Sequence, residues 1–200
     1  MYNQYETNKM EYIKMAVDVV RYGMVGQDPQ QWSSESHKIR VMLLGDDIVD
    51  NYNPEYNPND IYQQLNQYEN ITCFNCAIKG NTMNSLLFGK PPLDIVKLHR
   101  PYAYPNNTNL INSCDRAHWI VLGIGFNESK DIPLELHKVQ LNMILDLILK
   151  KNVQCITITD PAIWPEFSNM VKELCEQRQV FYVNSTNRGL ANLIYETIRR

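Results

Sequence analysis

The sequence predicts an α/β fold, a three-layer sandwich built on a central parallel sheet. Three observations carry that expectation. Five short apolar runs, at 39–44, 71–78, 117–122, 153–159 and 180–183, alternate along the chain with helical stretches. Strict alternation of this kind implies parallel crossovers, with helices on both faces of the sheet. Finally, no internal repeat and no linker-like stretch divides the 200 residues, so they form a single domain. Residues 39–200 make up its body, and residues 1–38 are a helix and lead-in expected to pack on it.

The elements follow in order. Met10, Ile13, Val17, Val20 and Met24 recur at three- and four-residue steps and predict a helix over 10–25, which Gly26, Asp28 and Pro29 end. Ile39 to Leu44 is the first strand and runs straight into Gly45-Asp46-Asp47. Pro54 and Pro58 forbid regular structure in the turn-rich stretch that comes next. Asp60 caps a helix from Ile61 to about Tyr68. The second strand, Ile71 to Ile78, leads to Gly80-Asn81-Thr82 and a helix carrying Met83, Leu86 and Leu87. Residues 90–113, with Pro91, Pro92, Pro101 and Pro105, are the least regular part. A third strand, Ala117 to Leu122, is followed by Gly125-Phe126-Asn127-Glu128. Leu134, Leu141, Ile144 and Ile148 stripe the strongest helix, Pro133 to Lys150. The strand Val153 to Thr159, the helix Glu166 to Arg178, the strand Val180 to Val183 and the helix Leu190 to Ile198 complete the chain.

Composition bounds the function. With 44% hydrophobic residues and a net charge of -3, the chain is not intrinsically disordered. No apolar run approaches the roughly 18 residues of a spanning helix, and charges interrupt the first thirty residues where a secretory signal would lie. A pI near 5.8 argues against a strongly basic nucleic-acid-binding domain and leaves room only for a local basic face. The five cysteines, an odd number without a signal, read as reduced thiols of a cytoplasmic protein. Cys73 and Cys76 form a CxxC with no second pair, on a strand that sends them to opposite faces, so they read as buried small hydrophobes. No cofactor and no metal are expected.

In an open parallel sheet the site lies beyond the carboxyl ends of the strands. Gly45-Asp46-Asp47, Gly80-Asn81 and Gly125-Phe126-Asn127-Glu128 stand at three of those ends. Together, and in this order from Ile39 to Arg200, they resemble the blocks of the SGNH (GDSL-type) hydrolases. The resemblance implies an SGNH-like sandwich. It puts Asp47 at the serine nucleophile, Gly80 at the oxyanion-hole glycine and Asn127 at the oxyanion-hole asparagine, with Glu128 where that family usually has Asp. Its last block, Asp-x-x-His, has no counterpart in the loop Asn184 to Gly189, and His37, His99, His118 and His137 all lie earlier. Acyl transfer needs a hydroxyl nucleophile, a base in reach and a group orienting that base. The expectation is a non-catalytic SGNH-like module.

Single residues have competing readings. Asp46, Asp47, Asp50 and Glu128 are a carboxylate set of the kind that suits Mg²⁺ or Ca²⁺. The turn context favours Asp46 accepting backbone hydrogen bonds, with Asp47 and Asp50 facing solvent. His118 reads as a core or otherwise satisfied histidine, and His137 as a surface position in mid-helix.

A catalytically degenerate SGNH fold serves as the OSK domain of insect germ-plasm organisers, and this chain resembles that domain family in general plan. That similarity implies messenger-RNA binding and a part in ribonucleoprotein granules. Lys97, His99, Arg100, Tyr102 and Tyr104 interleave charge with rings, a pattern suited to phosphates and unpaired bases; Arg188, Arg199 and Arg200 add cations. The alternatives are an acyl or acetyl esterase with a displaced nucleophile, Ser85 or Ser185, and a protein-binding scaffold.

Overall fold

A computed structural model describes residues 37–49, 61–77, 80–88, 117–186 and 189–200. The helix expected at 10–25 and the irregular stretch 90–113 lie outside the described residues. Five strands, β1 (Ile39–Gly45), β2 (Ile71–Asn75), β3 (Trp119–Gly123), β4 (Gln154–Thr159) and β5 (Phe181–Asn184), form one sheet in the order β2-β1-β3-β4-β5. Every pairing is parallel. The described helices are α1 (Ile61–Leu65), α2 (Met83–Phe88), α3 (Leu134–Leu149), α4 (Pro165–Arg178) and α5 (Leu190–Ile198).

Side-chain alternation along each strand splits the core in two. Met42, Leu44, Ile120 and Leu122 point to the face covered by α2, α3 and α4, where they meet Met83, Leu141, Ile144 and Phe167. Val41, Leu43, Val121 and Ile156 point the other way, against Ile61 and Leu65 of α1 and Ile194 and Ile198 of α5. The result is the three-layer α/β sandwich expected from the sequence. Leu141, Ile144 and Ile148 are completely buried, each contributing roughly 1.5–3 kcal/mol of transfer energy. Pro165 opens α4 at a position where its missing N–H costs nothing. An Arg178–Asp146 ion pair ties α4 to α3.

β2 ends at Asn75, short of the expected limit, and Cys73 on it and Cys76 just past its end fall in opposite halves of the core. Cys73, Cys76, Cys155 and Cys175 are free and buried, and burial pushes the Cys175 thiol up to about 11. Among the described residues no helix is long and apolar enough to cross a membrane.

Candidate functional site

β1 ends at Gly45 with φ +120°, and a Cβ there would lie 1.8 Å from the carbonyl oxygen of Gly123 on the neighbouring strand. Only glycine fits this approach, and it starts the turn that turns the chain inward. The Asp46 N–H then donates to the Gly123 oxygen at 2.9 Å. The Asp46 carboxylate, 1% exposed, accepts from the Ile48 N–H at 2.9 Å and from the Phe126 N–H at 2.8 Å. Asp46 therefore ties the β1 turn to the loop after β3, as the turn context suggested. Burial pushes its carboxyl up to about 7, against both N–H donors, with the Asp47 and Glu128 charges adding to the rise.

Asp47 departs from the expectation that it faces solvent. Its Oδ2 accepts from the Gly80 N–H at 2.7 Å and from Asn127 Nδ2 at 2.6 Å, in a half-buried position. The three positions singled out from the sequence, Asp47, Gly80 and Asn127, thus converge on one oxygen atom. The physical reason is the local chemistry: two fixed donors aimed at one point attract the nearest carboxylate. Asn81, 1% exposed, pins the second loop by donating from Nδ2 to the Gly45 oxygen at 3.2 Å.

Glu128 faces inward. Its Oε1 accepts from the Met83 N–H, the first of α2, at 2.6 Å. Its Oε2 lies 3.9 Å from Nδ1 of His137. Burial raises the Glu128 carboxyl, while the Met83 N–H and His137 act against the rise. His137 is wholly buried, which corrects the surface position expected for it. Its Nε2 donates to the Ser129 oxygen at 3.0 Å, and its ring stands edge-on to Trp164 and Phe167 at 5.5 and 5.6 Å. Nδ1 has no hydrogen-bond partner. The stripe Leu134, Leu141, Ile144, Ile148 carried the signal for this burial, because position 137 is three residues after 134 and four before 141.

The remaining candidates separate. His118 is exposed at the opposite, amino end of β3, where its Nδ1 accepts from the Arg40 N–H at 3.1 Å. It is a satisfied histidine but not a core one. Burial and the Arg40 charge push its imidazole down. Ser85 is buried with its Oγ 3.0 Å from Thr82 Oγ1. Ser185 follows β5 at the carboxyl end, its N–H on the Thr159 oxygen at 2.9 Å and its buried Oγ without a partner. Arg199 and Arg200 are exposed at the end of α5. Arg199 lies over the Tyr195 ring at 5.4 Å, and that ring stacks on Tyr68 at 3.7 Å. Asp50, Lys97, His99, Arg100, Tyr102, Tyr104 and Arg188 lie outside the described residues. Among the described residues no group of three or more potential ligands is placed to hold a metal ion.

No family model matches this sequence, and no curated protein does. Solved structures do resemble its fold. A protein from Desulfitobacterium hafniense described as lipolytic and of the G-D-S-L family superposes with a TM-score of 0.52 at 14% identity, over 74% of this chain and 77% of its own. The YXIM protein of Bacillus subtilis does so with a TM-score of 0.52 at 13% identity, over 73% of this chain and 43% of its own. The five-stranded parallel sandwich is an SGNH-hydrolase-like fold.

Proposed function

We propose that this chain is a non-catalytic SGNH-like module that binds RNA. The observation that carries the first half is the clamp on Asp47. In a hydrolase of this plan, the donors equivalent to Gly80 N–H and Asn127 Nδ2 stabilise charge developing on the substrate. Here both donate to a resident carboxylate oxygen. A substrate oxyanion would have to displace that carboxylate and then sit beside its charge. No hydroxyl takes the nucleophile position, the loop after β5 contributes no histidine, and His137 is enclosed by Trp164 and Phe167.

The second half is supported by where the cations fall. Helices of this sandwich run back to the amino end of the sheet, so α3 and α5 deliver Lys150, Lys151, Arg199 and Arg200 to the end where Lys38 and Arg40 open β1, while Arg178 at the end of α4 is paired with Asp146. Cations at helix C-termini also complement the helix dipoles. The rings add something the dipoles do not require. Tyr195 stacks on Tyr68 beneath Arg199, and Phe181 is 37% exposed beside Trp119, centroids 5.7 Å apart. Rings and guanidinium groups along the amino end of the sheet suit unpaired bases on a phosphate backbone. Lys97, His99, Arg100, Tyr102, Tyr104 and Arg188 belong to the same proposal, and a part in ribonucleoprotein assembly follows from it.

Fluorescence anisotropy with a single-stranded RNA at two salt concentrations tests the proposal. Binding should weaken with salt and fall at least about tenfold in Arg199→Glu/Arg200→Glu and in Arg100→Glu/Arg188→Glu. No binding at low salt would refute it. A second reading, an esterase with a displaced nucleophile, draws on the unpartnered Ser185 Oγ at the carboxyl end of the sheet. It requires p-nitrophenyl acetate turnover that Ser185→Ala abolishes.

A further inference from the structure

Among the described residues, six large hydrophobic side chains are exposed, and four of them, Leu136, Val139, Met143 and Leu147, lie on α3. They follow one another at steps of three, four and four residues, so they form one line along the helix, about 16 Å long. Their exposures are 47%, 53%, 44% and 36%. The opposite side of α3 is already committed to the core through Leu141, Ile144, Leu145 and Ile148, all 0% exposed. A helix that is apolar on both sides has a neighbour on both sides. The other described helices carry no such outer line, so among the described residues α3 is the helix that calls for a cover.

The sequence holds a segment of matching form. Met10, Ile13, Val17, Val20 and Met24 repeat at steps of three and four and span about 21 Å as a helix. A helix of this length is marginal alone in water and gains its stability from an apolar surface. Two lines with the same three–four spacing interlock at a shallow crossing angle. The eleven residues 26–36 connect the segment to His37 and reach up to about 36 Å. His37 precedes β1 at the amino end of the sheet, the end at which α3 also finishes, so the connection is long enough to set 10–25 along α3.

We propose that residues 10–25 form an amphipathic helix that packs its Met10–Met24 stripe on the Leu136–Leu147 line of α3, adding a fourth layer to the sandwich. The test is hydrogen exchange on the full chain, with oligomeric state measured by light scattering. In wild type the amides of 10–25 should exchange at least about tenfold more slowly than an unstructured peptide, in a monomer. Val139→Glu/Met143→Glu, at exposed positions, should remove that protection and leave β1 and β3 protected. Val17→Glu should do the same from the other side, which covers a failure of the α3 variant to fold. Unprotected amides at 10–25 in wild type would overturn the proposal, as would protection that survives both variants. A wild-type dimer that Val139→Glu/Met143→Glu dissociates would also overturn it, because a second copy would then be the cover.

Discussion

Replacing Asp47 with alanine removes the one oxygen on which the Gly80 N–H and Asn127 Nδ2 converge, at 2.7 and 2.6 Å. Hydrogen bonds to a charged group contribute about 1.5–3 kcal/mol each to stability. Two donors sharing one half-buried oxygen, with water able to replace it, bring the net loss to about 2 kcal/mol. For a chain of this size that is a fall of about 4–8 °C in Tm. Asp47→Asn keeps an acceptor oxygen and loses the charge, so about half the effect is expected. Asn127→Ala removes one of the donors and should be non-additive with Asp47→Ala, with a coupling of about 1 kcal/mol in the double-mutant cycle. Thermal and denaturant unfolding of wild type and these four variants make the measurement. The opposite sign is informative: a charge retained for chemistry at a cost in stability makes its removal stabilising. An Asp47→Ala protein as stable as wild type, or more so, would refute the view that the carboxylate is held as a structural ligand of its own loops.

Other perturbations have equally definite outcomes. Asp46 rises from 3.8 to about 7 on folding and Glu128 also rises, so the folded chain binds more protons than the unfolded one between these values. The stability those groups contribute is present below about pH 4 and is lost as pH climbs toward 7. Denaturant unfolding of wild type and Asp46→Asn from pH 5 to 8 should show a flatter profile in the variant. Gly45→Ala drives a Cβ into the Gly123 carbonyl and should cost more than about 4 kcal/mol, read as loss of soluble folded protein. Since Cys73, Cys76, Cys155 and Cys175 are all buried, native protein should show at most one thiol reacting rapidly with a disulfide reagent, and the unfolded chain five.

The sheet was legible in the sequence because each strand is a short apolar run stopped by glycine or small polar residues. β1, β4 and α5 differ from their expected limits by no more than a residue. The site was legible in part. Gly45, Gly80, Asn127 and Asp47 were marked by their places after strands, and the structure brings the last three together. What they do to one another was not legible, since the Asp47 clamp joins loops 33 and 80 residues apart and depends on atoms aimed at a single point. His137 shows a different loss. Its place on the apolar stripe of α3 outweighed its polarity, because the Ser129 carbonyl satisfies one nitrogen and two rings enclose the rest. Glu128 was marked as a variant of an acid and turned out to hold the start of α2.

The approach of Gly45 to Gly123 bears on how such chains can be found at all. In the β1–β3 pairing the two are opposite one another, with no room between them for a single added carbon. Gly125, at φ +106°, is held in the same way by the ring of Phe167, 2.7 Å from where a Cβ would be. These constraints come from backbone crossing backbone and from core packing, and are independent of any reaction at the strand ends. A chain free to vary residue 47 is not free to exchange these glycines. Searches for distant kin of this sandwich gain more from the spacing of its backbone contacts than from the identity of the residue at any one strand end.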